Sequence, residues 1–240
     1  MDRHAFGWRH LLAGVGWRHL LAEIGVTTLG ILIAVAVNAW WEHRQDRRIE
    51  LDALREMRQA LVVDLADLRD DLSRYQRVDR STRLLLDRIR AGLPYAPGLD
   101  TVFGAQLIFR KHLSNATAYE SLRSRGLGLI GDDSLRLAVI DFYGLQNTTI
   151  ALWNDIDTRL VDVNLRPFFH TRFRIRAASP GVARAAVPVD YPALARDPVF
   201  EGLLSTRQET MSATIPAYQH AIAEGERLAA LLDRRIRRLQ

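Results

Sequence analysis

Residues 24–41 read IGVTTLGILIAVAVNAWW, eighteen positions without a charged side chain. A helix of that length rises about 27 Å, close to the ~30 Å hydrocarbon thickness of a bilayer. Trp40 and Trp41 close one end, while Trp17 and then Trp8 stand beyond the other. Indole rings settle at headgroup level, so the pattern predicts a transmembrane helix over 20–41 and an interfacial segment over 1–19. Two other readings compete. Ala34-Val35-Ala36 has the small-x-small form of a signal-peptide processing site. Against it, the apolar run continues to Val37, and Glu23 interrupts the usual rise from basic to apolar. A core helix of a soluble protein is usually shorter and amphipathic. The anchor reading accounts for both the length and the flanking indoles.

Inside the span, Thr27, Gly30, Ala34 and Asn38 fall on one helical face. Small residues at four-residue spacing let a second helix approach closely, and an asparagine there can hydrogen-bond across the contact. This predicts an anchor that docks against another transmembrane helix. Glu23 is costly near lipid unless paired, and His19, one turn back, is the nearest candidate partner. Before the span, Trp8-Arg9-His10-Leu11-Leu12-Ala13 recurs as Trp17-Arg18-His19-Leu20-Leu21-Ala22. A nine-residue shift is about half a turn out of phase. Either Gly14 and Gly16 break the helix or both faces are used.

At 240 residues the chain has room for an anchor and one domain. It contains no cysteine, which removes disulfides, thiolate metal sites and cysteine nucleophiles. The net charge of +5 is modest and interleaved with acids, and of 33 basic residues only Lys111 is a lysine. No clustered basic face for nucleic acid stands out.

From Glu42 a long polar helix begins, with Leu51, Leu54, Leu61, Leu65, Leu68, Leu72 and Tyr75 at three- to four-residue spacing. Arg58 occupies one expected apolar slot, and Gly92-Leu93-Pro94 predicts the stop. Short helices are expected from Asp100 to about His112 and through Tyr119 and Leu122 to Gly126. A long one follows from Ser134 to about Arg166, with Asp132 and Asp133 as caps and Leu137, Ile140, Tyr143 and Leu152 on its apolar side. Asp197-Pro198 opens the last helix, in which Pro216 predicts a kink. No strand pair is expected, and 171–197 reads as irregular. The predicted class is all-α: one transmembrane helix, then over 42–240 an elongated antiparallel bundle of about three long and two short helices.

Glu23-Ile24, Gly30-Ile31-Leu32-Ile33-Ala34 and Asn38-Ala39-Trp40-Trp41-Glu42-His43-Arg44 stand in the anchor region. Tyr119-Glu120-Ser121-Leu122-Arg123-Ser124-Arg125-Gly126, Leu135-Arg136 and Tyr143 follow downstream. Together these blocks resemble an uncharacterised family of bacterial single-pass membrane proteins, a domain of unknown function. The resemblance covers about half the chain. It implies a short N-terminal segment, one inner-membrane anchor and a helical domain on the periplasmic side, with no activity attached. The Trp-Arg-His repeat departs from that pattern. Basic residues taken alone point the other way, because Arg44, Arg47, Arg48, Arg55 and Arg58 outnumber Arg3, Arg9 and Arg18.

Catalytic signals are sparse. Gly126-Leu127-Gly128-Leu129-Ile130-Gly131 is literally G-x-G-x-x-G, but a helix precedes it and Asp132-Asp133 would oppose a phosphate, so it reads as a helix stop. There is no H-E-x-x-H, nucleophile elbow or Walker lysine. No enzyme, metal or cofactor is expected, although His10 or His19 as an axial ligand to a pigment or haem stays open. Arg166, Phe168, Phe169, Arg172, Phe173, Arg174 and Arg176 interleave aromatics with cations. If helix 134–166 returned alongside helix 42–92, this segment would lie near the headgroups and contact lipid or a partner. The leading expectation is therefore a membrane-anchored accessory or scaffold subunit docked on a larger inner-membrane complex, with respiratory, photosynthetic and transport complexes all compatible. A tethered sensory or ligand-binding bundle acting through a partner is the alternative.

Overall fold

The structure, a computed structural model, describes residues 17–109, 115–176 and 184–240, with side chains from residue 23 onward. It is mostly helical, and its contacts divide the chain into two compact units, Met1–Ile49 and Glu50–Gln240. One helix, α1 (Trp17–Arg90), contributes to both. It ends where Gly92, at φ +62°, adopts a left-handed conformation that a side chain resists. Within the described residues this is the one helix long and apolar enough to cross a membrane, near its N-terminal end.

In the second unit α1 is followed by α2 (Leu99–Ala105) and α3 (Thr117–Arg125). Gly126, at φ +101°, stops α3, and Asp132 caps α4 (Asp133–Ile140) by accepting the Leu135 N–H. A π turn (Asp141–Gln146) joins α4 to α5 (Asn147–Arg159), and another (Leu160–Leu165) joins α5 to α6 (Arg166–Arg172). The chain then forms a hairpin of β1 (Phe173–Arg176) antiparallel to β2 (Ala185–Pro188), with Phe173 opposite Pro188 and Arg176 opposite Ala185. Short α7 (Tyr191–Leu194) leads to α8 (Pro198–Leu239), whose cap Asp197 accepts the Val199 N–H.

Several expectations are corrected. α2 begins at Leu99 and stops at Ala105, with Asp100 in its first turn and not at its cap. The region read as irregular contains the hairpin, because Phe173 and Ala186 turn inward from paired strands. The last helix, by contrast, runs as expected from Pro198 to Leu239 with Pro216 inside it. Arg58, at the interrupted apolar slot, pairs with Asp233 at 2.8 Å on α8.

The larger correction concerns direction. Arg58 with Asp233, Arg69 with Glu226 and Arg90 with Glu201 show α8 antiparallel to α1. Gly225 of α8 meets both Leu65 and Phe142, and Tyr75 bonds Asn154, so the α4–α6 column runs parallel to α1. The segment carrying α2 and α3 takes the chain back between them. A purely antiparallel bundle is therefore not what forms.

Two apolar cores result. The first gathers Leu54 to Val78 of α1, the α3–α4 region, Phe142, Ile150, and Met211 to Leu232 of α8. The second gathers Leu85 and Leu86, Phe103, Leu160 to Phe173, and Phe200 and Leu204. α2 lies on β2 so closely that a Cβ at Gly104 would come within 2.1 Å of the Arg184 carbonyl oxygen. At Gly144 a Cβ would meet nothing within 4 Å. Gly104→Ala should therefore destabilise the domain by about 1–3 kcal/mol through forced backbone movement. Gly144→Ala should leave stability unchanged or raise it slightly. Thermal melts of both variants followed by circular dichroism in mild detergent check this pair.

Candidate functional site

In the apolar N-terminal stretch of α1, the side chains stand open. Ile24, Val26, Leu29, Ile31, Leu32, Ile33, Val35 and Val37 are between 55% and 72% exposed. A Cβ at Gly30 would meet nothing within 4 Å, so nothing described around this glycine demands it. Its face also carries Thr27, Ala34 and Asn38. Thr27 returns its hydroxyl proton to the Glu23 carbonyl, and the Asn38 amide donates to Glu42 at 2.8 Å, leaving the Asn38 carbonyl oxygen for a neighbour. Trp40 and Trp41 are exposed, with the Arg44 guanidinium 5.6 Å from the centre of the Trp40 ring. Trp8, His10 and the side chains of Trp17 and His19 lie outside the described residues.

The segment from Arg166 to Arg176 does not present its aromatics to a surface. Phe169 and Phe173 are buried and stack at 4.2 Å, Phe168 stacks on Phe200, and Phe173 leans on Phe103. They belong to the second core, beside Leu85 and Leu86. Their expected insertion in lipid is therefore corrected: the column reaching them runs parallel to α1 and does not return along it. The cations turn outward, and several pair within the chain. Arg166 binds Asp162 at 2.9 Å, Arg172 reaches Asp197 and Arg176 reaches Asp100, while Arg174 is exposed.

Between the two cores, all three long elements place polar residues at one level. α1 supplies Tyr75 and Thr82, α5 supplies Asn154 and Asp157, and α8 supplies Arg207, Thr210 and Thr214. The Tyr75 and Tyr218 hydroxyls donate to the Asn154 carbonyl oxygen at 2.8 and 2.9 Å. Arg207 donates to the Asp157 carboxylate and to the backbone carbonyl of Ile108, and Thr82 donates to Gln106 at 2.9 Å. Arg207 and Asp157 are wholly buried. Desolvation raises the Asp157 pKa from 3.8 to about 6 against the lowering pull of Arg207, and burial lowers that of Arg207. Burial likewise pushes the Tyr75 and Tyr218 phenols above their ordinary range. Asn154 Nδ2, Asp157 Oδ2 and Arg207 Nε make no hydrogen bond among the described residues. The layer's side chains are buried between the helices they join.

Sequence reasoning missed this layer, although a signal existed. Asn154 and Asp157 follow Ile150 at four and seven residues, and Arg207 follows Leu204 at three. Each sits where an apolar residue would continue a helical stripe. The same reasoning chose the wrong side of the α4–α5 column. Leu137, Ile140 and Leu152 are exposed, whereas Leu135, Val139, Phe142 and Ile150 point inward with Tyr143. A π turn takes one extra residue, so it keeps Leu137 and Leu145 on one side where a regular helix would set them about 80° apart. Leu145, Leu152 and Ile156 continue that open apolar strip, at 59%, 56% and 38% exposed. It is flanked by the pairs Asp155–Arg159 and Asp162–Arg166.

At Glu50 a further contact closes the G-x-G-x-x-G loop. Its carboxylate binds Arg235 at 2.8 and 2.9 Å and accepts the Gly131 N–H at 3.1 Å. The loop is thus committed to an acidic partner within the chain. Among the described residues no group of histidine and carboxylate side chains could hold a metal. No family model, curated protein or solved structure matches this chain.

The buried pair generates two expectations. Arg207→Met should cost about 3–5 kcal/mol by stranding Asp157, and adding Asp157→Leu should recover most of the loss. Denaturant unfolding of the full chain in mild detergent measures both. Because the folded Asp157 pKa lies above the unfolded value, the folded state binds more protons between pH 4 and 6. Stability should therefore fall as pH rises through that window, by up to ~3 kcal/mol, and Asp157→Asn should remove that component. Melts at closely spaced pH values for the two proteins give the difference.

Proposed function

We propose that the protein is a non-enzymatic, membrane-anchored accessory subunit that stabilises a larger bacterial inner-membrane complex, which could be bioenergetic. The observation that supports this reading is the open face through Gly30. Small residues on a lipid-facing helix gain nothing from lipid, but they let a second helix approach until van der Waals contact and a shared hydrogen bond hold it. Nothing described lies within 4 Å of where a Gly30 Cβ would be. The partner is therefore one or more transmembrane helices, supplied by another subunit or by a second copy. The exposed strip of Leu137, Leu145, Leu152 and Ile156 offers the same partner a second, aqueous contact, with charges of both signs at its rim. In this reading the helical domain faces the periplasm and belongs to the resembled family. Its buried layer holds the domain rigid and performs no chemistry.

Two experiments test this. A photo-crosslinking side chain placed at Gly30 or Ala34 should capture a helix, whereas one at Ile33 should capture lipid only. Gly30→Leu with Ala34→Leu should abolish co-purification of that partner in mild detergent, while Leu145→Glu with Leu152→Glu should weaken it severalfold without unfolding an exposed surface. Capture of lipid alone from all three positions, or full retention of the partner by both variants, would sink the docking reading. An alkaline phosphatase fusion after Gln240 should be active, and an inactive one would reverse the orientation.

A further inference from the structure

A cleft of about 490 Å³ opens on the side of the second unit, between α1, the α2 region and the entrances to α6 and β2. Four arginines line it, Arg74, Arg77, Arg166 and Arg184, and among the described residues no aspartate or glutamate does. Its size falls within the ~300–1,000 Å³ of sites for small organic molecules. The floor is apolar, made chiefly by Val78, Ile108 and Phe109. The Arg166 guanidinium sits 5.8 Å from the centre of the Phe109 ring, which holds one cation at the edge of the apolar patch.

The charges are incompletely neutralised. Arg74 and Arg166 each pair with a carboxylate one turn away on their own element, Asp70 and Asp162, and all four side chains are 37–49% exposed. Exposed pairs of that kind contribute little to stability, so both guanidiniums can turn to a better partner at small cost. Arg77 gives one N–H to the Ser73 hydroxyl and Arg184 one to the Leu107 carbonyl, and neither makes an ion pair among the described residues. Residues 110–114 and 177–183, which adjoin Phe109 and Arg184 in sequence, contain no acid. A planar guanidinium donates two parallel hydrogen bonds to a carboxylate or phosphate, and several converging on one cleft select an oxyanion.

The floor adds a second requirement, since a hydrated inorganic ion would leave Val78, Ile108 and Phe109 uncovered. We infer that this cleft binds a small amphipathic oxyanion, a carboxylate or phosphate carried on an apolar body. The backbone carbonyl of Ile108, behind the floor, accepts from Arg207. The inference is independent of the docking face in the anchor. The acidic head could come from a soluble metabolite or from a lipid, and the two sources share the same chemistry.

The test uses the full chain in phosphatidylcholine nanodiscs, with 1-naphthyl phosphate as the probe and its fluorescence anisotropy as the readout. Saturable binding is expected, weakening severalfold when salt is raised from 50 to ~300 mM. Arg77→Gln with Arg184→Gln should lower affinity tenfold or more while the thermal melt is unchanged. Inorganic phosphate and uncharged 1-naphthol should each bind at least tenfold more weakly than the probe. Naphthol binding as tightly, the double variant binding like wild type, or the absence of saturation by ~1 mM would each overturn the inference. Arg77→Glu provides an independent variant should the double substitution alter the melt. In nanodiscs containing phosphatidic acid, apparent probe affinity falls if the native ligand is a lipid and holds if it is soluble.

Discussion

The most demanding contact in the second unit is the buried one between Arg207 and Asp157, with the two tyrosines and Asn154 around it. A guanidinium and a carboxylate taken wholly out of water do not stabilise by being a pair, since desolvation consumes most of their attraction. What the contact does is exclude alternatives. A slip of α8 by one turn along α1 and α5 would strand both charges in apolar surroundings, at a cost the domain could not absorb. The apolar residues on either side could repack after such a slip; the polar layer could not. It therefore defines the level at which the three helices meet and divides the interior into two cores.

That level also explains the direction of the chain. Asn154 must meet Tyr75, and Phe142 must meet Leu65, so α4 to α6 run with α1 and not against it. A parallel neighbour needs a crossover, which α2 and α3 provide. The crossover brings Gly104 against the Arg184 carbonyl and lays α2 on the hairpin, so the short elements brace the second core. The aromatics from Phe168 to Phe173 are drawn inward for the same reason, leaving their arginines outside.

The protein consequently presents three surfaces of different chemistry. The apolar stretch of α1 offers a cylinder of exposed side chains with one small-residue face. The α4–α5 column offers an apolar strip between salt bridges, kept straight by the π turn. The side cleft offers converging cations over an apolar floor.

Much of this was legible in the sequence. An uncharged stretch of eighteen residues closed by indoles is a local property, as are the stops at Gly92 and Gly126 and the caps Asp132 and Asp197, because each depends on residues within a turn or two. The α1 stripe was legible too, and Arg58 within it announced a partner without naming Asp233. The sequence could not show which of two apolar sides of the α4–α5 column turns inward, since a π turn shifts the phase that a regular helix would keep. Nor could it show that Phe169 and Phe173 are core, that two four-residue segments pair as strands, or that four arginines far apart in the chain line one cleft. Those outcomes rest on which elements meet in space, from hairpin partners such as Phe173 and Pro188 to distant pairs such as Asp157 and Arg207, and on helix directions that only the whole domain, satisfying its buried charges at once, decides.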